Sequence, residues 1–377
     1  FYKYVFIYYI CRAKLNLLGL SMIYFKSRSF FLYLILLSAT FAHSKEEDKK
    51  QSLQEEITEY IYHHVQDSHD FSLFSTKDKK TGEKKYYGFP LPVILVDQGL
   101  KFFMSSKLDH GKKVVESSGK FYKLYHGKIY ETNAEGKISY DEEGIVTNSK
   151  PLDLSITKSV FSILLVSMLM FMLFTSLAKS YKENNQIAKG VGRFFEPIVI
   201  LIRDEIAIPS IGENNYKKYM SFLLTLFFFI WFLNLLGLSP LGVNVTGNIA
   251  VTFGLALITF LITNLTANKT YWKHIFWMPG VPVWLKPLLA PIELLGVFIK
   301  PFSLMIRLYA NILAGHIVLY SLIGLIFIFK NLVGSSLSLV LVFFISIIEV
   351  LVALLQAYIF TLLSALYFGF AVQEDDH

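Results

Sequence analysis

This chain has little charge and almost no cysteine. Charged residues fill 17% of its 377 positions, against 54% hydrophobic and 16% aromatic, and mean hydropathy is +0.47. Soluble domains carry about 25% charge, so the composition is that of a polytopic membrane protein with some soluble portion. The lone Cys11 excludes an internal disulfide framework and any Cys-based metal site. No P-loop string occurs: the Gly-Lys pairs at Gly119, Gly127 and Gly136 lack the rest of that pattern, so any ATP must be bound by another chain. The net charge is +7, but the basic residues cluster beside apolar runs, which points to membrane orientation rather than nucleic acid.

What is present divides into three parts. Met22, then Lys26 and Arg28, an apolar run from Phe30 to Leu37 and small residues up to Ala42 follow the order of a secretory signal. Residues 1–42 are therefore expected to be a signal peptide or upstream segment; an uncleaved anchor is the alternative, with a run short for a span. Residues 43–155 read as a small extracytoplasmic soluble domain of mixed α/β character. It opens on a charged helix and changes from Tyr86 to β-like alternation, with turn signals at Gly111, Gly119, Gly127 and Gly136. His63, His64, Asp67, His69 and Asp70 match no zinc spacing and read as solvated helix and loop residues. No metal or other cofactor is expected.

Residues 156–377 read as an all-α membrane domain of about five helices. The first span covers Val160 to Leu177, and seven Lys and Arg between Lys179 and Lys218 place the following loop on the cytoplasmic side. Within that loop, Gly192 to Gly212 is too short and charged to cross and is expected to lie on the membrane surface, with Glu196 and Arg203 on its wet side. Spans two and three run from Tyr219 to Leu238 and from Ile249 to Leu265. Asn234 and Asn248 lie at their outer ends, suited either to a water path or to helix packing.

From Pro291 to Phe329 and from Leu337 to Val372 the sequence stays apolar for nearly forty residues in each arm. Each arm as one helix is about 55 Å long, against a hydrocarbon core of about 30 Å. No proline falls in either arm after Pro301, so a long tilted hairpin is expected rather than broken helices. A link near residue 333 sets His316 opposite Glu349 and Asn311 opposite Gln356, with Arg307 within a turn of them. An arginine at mid-membrane costs about 2.5–3.5 kcal/mol even on the lenient insertion scale, and it cannot hand on its proton. Arg307 is therefore a fixed cation needing a partner, whereas His316 beside Glu349 is a candidate proton relay. Glu293 and Ser303 lie on the other side of Arg307. A self-contained transporter would predict an inverted repeat, and none is evident.

The stretch KPFSLMIRLYANILAGH, Lys300 to His316, together with EVLVALLQAYIFTLLSALY, Glu349 to Tyr367, resembles the fourth and last membrane helices of subunit a of the F-type ATP synthases. The resemblance covers about Ser155 to His377. It implies a proton-translocating stator, non-catalytic by itself, in a bacterial inner membrane, with the N-terminal domain periplasmic and the C-terminus cytoplasmic. The implied partners are the c-subunit ring, the b-subunit peripheral stalk, the other synthase subunits, lipid and protons, and no nucleic acid. Arg307 would face the ring, with Asn311 and Gln356 beside it. His316, Glu349, Glu293, Ser303 and Asn248 would line two half-channels. Many relatives carry the acid where His316 stands and the histidine where Glu349 stands, and some carry an acid at the position of Gly237. EYIYHHV, Glu59 to Val65, resembles the family's outer N-terminal segment, and residues 73–154 look like an insertion.

Overall fold

Short alternating runs govern the first part of the described chain and long apolar helices the rest. A computed structural model describes residues 66–77, 84–183, 190, 192–239, 241–278, 280–329 and 331–373. All fall within one compact unit, Ile57–His377. The signal-like segment, the charged helix before Gln66, the EYIYHHV stretch, His63 and His64 lie outside the described residues.

Among the described residues eight strands form three small antiparallel sheets. A hairpin pairs β1 (Asp70–Lys77) with β2 (Lys84–Pro90). The second sheet has the order β4-β3-β8, from β3 (Pro92–Val96), β4 (Leu100–Met104) and β8 (Leu152–Asp153). The third is a meander of β5 (Val115–Ser117), β6 (Lys120–Tyr125) and β7 (Lys128–Thr132). Both its hairpins turn on two residues with positive φ, Ser118-Gly119 and His126-Gly127. That is the type I′ geometry matching strand twist, so the glycine signals have a backbone cause. The sheets close on Val93, Leu95, Phe103, Leu108, Val115, Tyr122 and Ile129. At the edge of this core Lys120 bridges Asp97 and Glu131, and Tyr122 donates to Asp97 at 2.9 Å. Burial, then that bond, push the Tyr122 hydroxyl up to about 12. Strand structure begins at Asp70, sixteen residues before the alternation read from the sequence at Tyr86. The expected helical part of this domain lies outside the described residues.

Helix α1 (Lys158–Glu183) follows β8 without slack. Lys158 N donates to Ser68 O at 2.8 Å, and Ser159 N to Asp67 Oδ1 at 3.0 Å, so a remote aspartate satisfies an orphan donor of the first turn. Lys158 Nζ donates to Gly242 O at 3.1 Å, and the Phe161 ring meets Phe71 and Phe89. His69 and Asp153 bond at 2.7 Å, and His110 pairs with Asp70 at 3.2 Å. Asp67, His69 and Asp70 thus have structural partners in this domain.

The amphipathic stretch forms α2 (Gly192–Leu201), a π-helical turn (Ile202–Ala207) and α3 (Ile208–Ile211). One side buries Ile202, Ile206, Ala207 and Ile211. Arg203 is exposed and pairs with Asp204. Glu196 departs from that expectation: it is half-buried and accepts the Tyr181 hydroxyl at 2.7 Å, because α2 folds back beside the end of α1.

Among the described residues four helices are long and apolar enough to cross a membrane: α1, α4 (Tyr216–Leu238), α7 (Lys286–Phe329) and α8 (Leu332–Val372). Between them α5 (Ile249–Leu265) turns by 100° into α6 (Lys269–Phe276), and the count is five when this bent pair is one span. At about 25 Å, α5 alone is shorter than the hydrocarbon core. Helices α7 and α8 are continuous over 44 and 41 residues, about 65 and 60 Å, despite Pro291 and Pro301 in the first half of α7. Their packing against α4 and α5 holds the main core, which includes Leu223, Phe227, Leu304, Leu308, Phe360 and Phe368. At Gly369 a β-carbon would overlap the Ser210 carbonyl, so glycine lets α8 pass against α3.

Candidate functional site

Polar residues are sparse on α7 and α8, and of those expected to act together one pair meets directly. Arg307 is half-buried on α7, between the buried Leu304 and Leu308. Among the described residues no hydrogen bond or ion pair reaches its guanidinium; Tyr367 is within its electrostatic reach. Ser303, Ala310, Asn311 and Ala314 are all exposed, giving α7 a stripe of small or polar residues through Arg307.

Asn311 and Gln356 meet. The Asn311 amide donates to Gln356 Oε1 at 2.9 Å, and Gln356 is 2% exposed. Its own amide nitrogen is buried without a partner. The antiparallel register read from the sequence brings these two together because both arms stay helical throughout.

His316 and Glu349 do not pair. The Glu349 carboxylate lies where a β-carbon on Gly315 would be, while the His316 ring, 5% exposed, points toward α4. A β-carbon on Gly237 would stand 3.3 Å from His316 Nε2 and 3.1 Å from the Val243 carbonyl. Tyr320 stacks on the imidazole at 6.0 Å between centroids. Among the described residues neither His316 nor Glu349 has a hydrogen-bond or ion-pair partner. The expected contact fails for a helical reason: neighbouring positions diverge by about 100°, so a group seated over residue 315 misses the side chain of 316.

The remaining residues take different places. Glu293 and Ser303 are exposed on α7. Asn248 caps α5, accepting from Ala250 N at 3.0 Å. Asn234 is buried and fully engaged, accepting from Thr246 at 2.8 Å and donating to Ala353 O at 3.3 Å, which ties α4 to the following loop and to α8. One feature was not legible beforehand. On the Lys300 side of Arg307, Thr259, Asn264, Tyr271, Lys300 and Tyr367 line a cavity of about 10 Å³, room for about one water. The Asn264 carbonyl is buried there without a partner, and Lys300 sits over the Tyr367 and Phe370 rings. No spacing rule links α5, α6, α7 and α8 residues in this way.

Comparison with known proteins agrees with the helical part of this picture. Residues 160–369 match the family described as ATP synthase A chain, and residues 60–154 match a domain of unknown function, DUF8433. The second match begins before the stretch read as an insertion and covers it. ATP synthase subunit a of Chloroherpeton thalassium is 41% identical over 232 residues, 60% of this chain and 69% of that protein. The Myxococcus xanthus subunit a is 42% identical over 236 residues, 60% of this chain and 77% of that one. ATP synthase subunit a 2 of Chlorobaculum tepidum is 43% identical over 232 residues, 59% and 65% of the two chains. With a motif-bearing hairpin, several membrane-capable helices and a family match across more than half its length, this chain belongs to the ATP synthase A chain family, the a subunits of F-type ATP synthases.

Proposed function

We propose that this chain is the proton-conducting stator of an F-type ATP synthase in a bacterial inner membrane. Its β-domain is periplasmic, its C-terminus is cytoplasmic, and it works against a ring of c subunits while a b-subunit stalk holds it still. The observation that carries this reading is Arg307: a permanent cation in an apolar helix, with no acid of the described chain bonded to it. Its counter-charge then comes from a carboxylate on another polypeptide. The stripe of Ser303, Ala310, Asn311 and Ala314 would let a ring helix approach closely.

Protons enter on the outer side past Asn248, Glu349 and His316 and neutralise a ring carboxylate. The neutral carboxyl turns through lipid, where the charged form would be prohibitively desolvated. After nearly a full turn it meets the inner route near Glu293 and Ser303 and ionises. Arg307, with Asn311 and Gln356 beside it, attracts the ionised carboxylate and repels protons, so the two routes do not short-circuit. The chain forms and breaks no covalent bond; it couples proton flow to rotation. In the assembled synthase, Arg307→Ala abolishes ATP-driven proton pumping while passive proton leak survives or rises. Normal pumping by that variant overturns the reading.

A further inference from the structure

The sheet β4-β3-β8 has two unlike faces. One buries Val93, Leu95 and Phe103 in the domain core. The other presents Leu100, Phe102, Met104, Val96, Leu152 and Leu154, all between 38% and 74% exposed. The register makes these one patch. Leu100 and Leu152 flank Val96 in one row, and Phe102 is paired with Ile94 in the next, whose carbonyl accepts from Leu154 N. Six large apolar side chains side by side on one sheet face make a contiguous patch of the kind that marks a protein, ligand or membrane contact. None of the six carries a side-chain donor, and the weakly accepting Met104 sulfur is the one polar atom among them. Such a face suits an apolar contact, and its place in the chain bears on which one.

The position of the patch narrows its occupant. Leu154 is only four positions before Lys158, the first residue of α1, a reach of about 14 Å at most; Leu152 adds about 7 Å. Exposed apolar surface on α1 begins at Val160 and Leu164, within two turns of its start. The connection is stiff, because Leu154 N bonds Ile94 O, Ile156 N bonds Pro92 O, and the bonds of Lys158 and Ser159 follow. Phe161 against Phe71 and Phe89 locks the β1–β2 hairpin to the same turn. The domain cannot lift away from the point where its chain enters the bilayer, and the headgroup layer there is about 5–8 Å deep. Exposed Lys150 precedes Leu152 and exposed Lys107 follows Met104, cations at the strand ends that suit lipid phosphates.

We propose that this sheet face rests on the lipid leaflet beside α1, its six side chains in the boundary between headgroups and acyl chains. The domain is then a monotopic membrane-surface module continuous with a transmembrane helix. The inference requires that α1 spans the bilayer and is independent of the proton path.

The test uses the full chain in lipid nanodiscs, with Cys11→Ser and single nitroxide-labelled cysteines in place of Phe102, Leu100, Leu152, Leu164 or Glu143. Collision with oxygen is compared with collision with a water-soluble nickel chelate. The labels at 102, 100 and 152 are expected to match the one at 164 on the α1 surface, with an oxygen-to-nickel ratio several-fold above the one at 143. Ratios equal to that at 143 place the face in water and overturn the proposal. Labels shielded from both reagents show that a protein segment covers it, and overturn it equally.

Discussion

Asn311 on α7 donates to Oε1 of Gln356 on α8 at 2.9 Å, a side-chain hydrogen bond that ties the two long helices together midway along their length. Inter-helical hydrogen bonds in membranes are worth about 0.5–2 kcal/mol. Asn311→Leu leaves a buried acceptor without its donor and is expected to lower stability by about 1 kcal/mol, with Gln356→Leu in the same range. Asn311→Leu with Gln356→Leu removes both partners and costs less than the sum of the two. Thermal unfolding of the detergent-solubilised chain gives the coupling; strict additivity would mean that the bond contributes nothing.

Gly315 is the seat of the Glu349 carboxylate. Gly315→Ala displaces that group and, if Glu349 serves the proton path, lowers pumping several-fold in the assembled synthase. Adding Glu349→Asp, one methylene shorter, is expected to restore part of the loss. A Gly315→Ala synthase that pumps at the parent rate removes Glu349 from this position or from this role.

The β-domain has its own titration. Burial raises the Asp153 carboxyl, but the bonds from His69 and Ser155 outweigh it and hold the group at about 2. A depressed carboxylate contributes stability that is complete above the unfolded value near pH 4 and is lost as pH falls from about 4 to about 2. The amount is on the order of 2 kcal/mol. Amide exchange in β3 and β8, corrected for intrinsic rates, is expected to lose protection over that window, and Asp153→Asn to flatten the loss. An identical acid response in both proteins would assign it elsewhere.

How far the sequence reached depended on whether the deciding interaction was local. Uninterrupted apolar runs predicted the continuous α7 and α8, because helix length follows from composition and the lack of later prolines. Antiparallel register then brought Asn311 to Gln356. It failed for His316 and Glu349, since depth along a helix is set by residue number but direction around it needs the crossing geometry. The short α6 was missed because eight residues of mixed polarity give too little periodicity. The π-helical turn in Ile202–Ala207 has no composition of its own. In DFSLFSTK the alternation that makes β1 was masked by the charged stretch before it. Gly237 gave no sign of facing His316, because a missing side chain announces no partner.

The two longest helices run more than 40 residues each without a break. Long helices yield by gentle curvature, whereas sharp bending needs a kink. A sideways load at any point on this wall is therefore shared along its whole length, as in a leaf spring. Near its end α8 passes so closely by Ser210 that only glycine fits at Gly369, which gives such a spring a fixed point of contact at its tail.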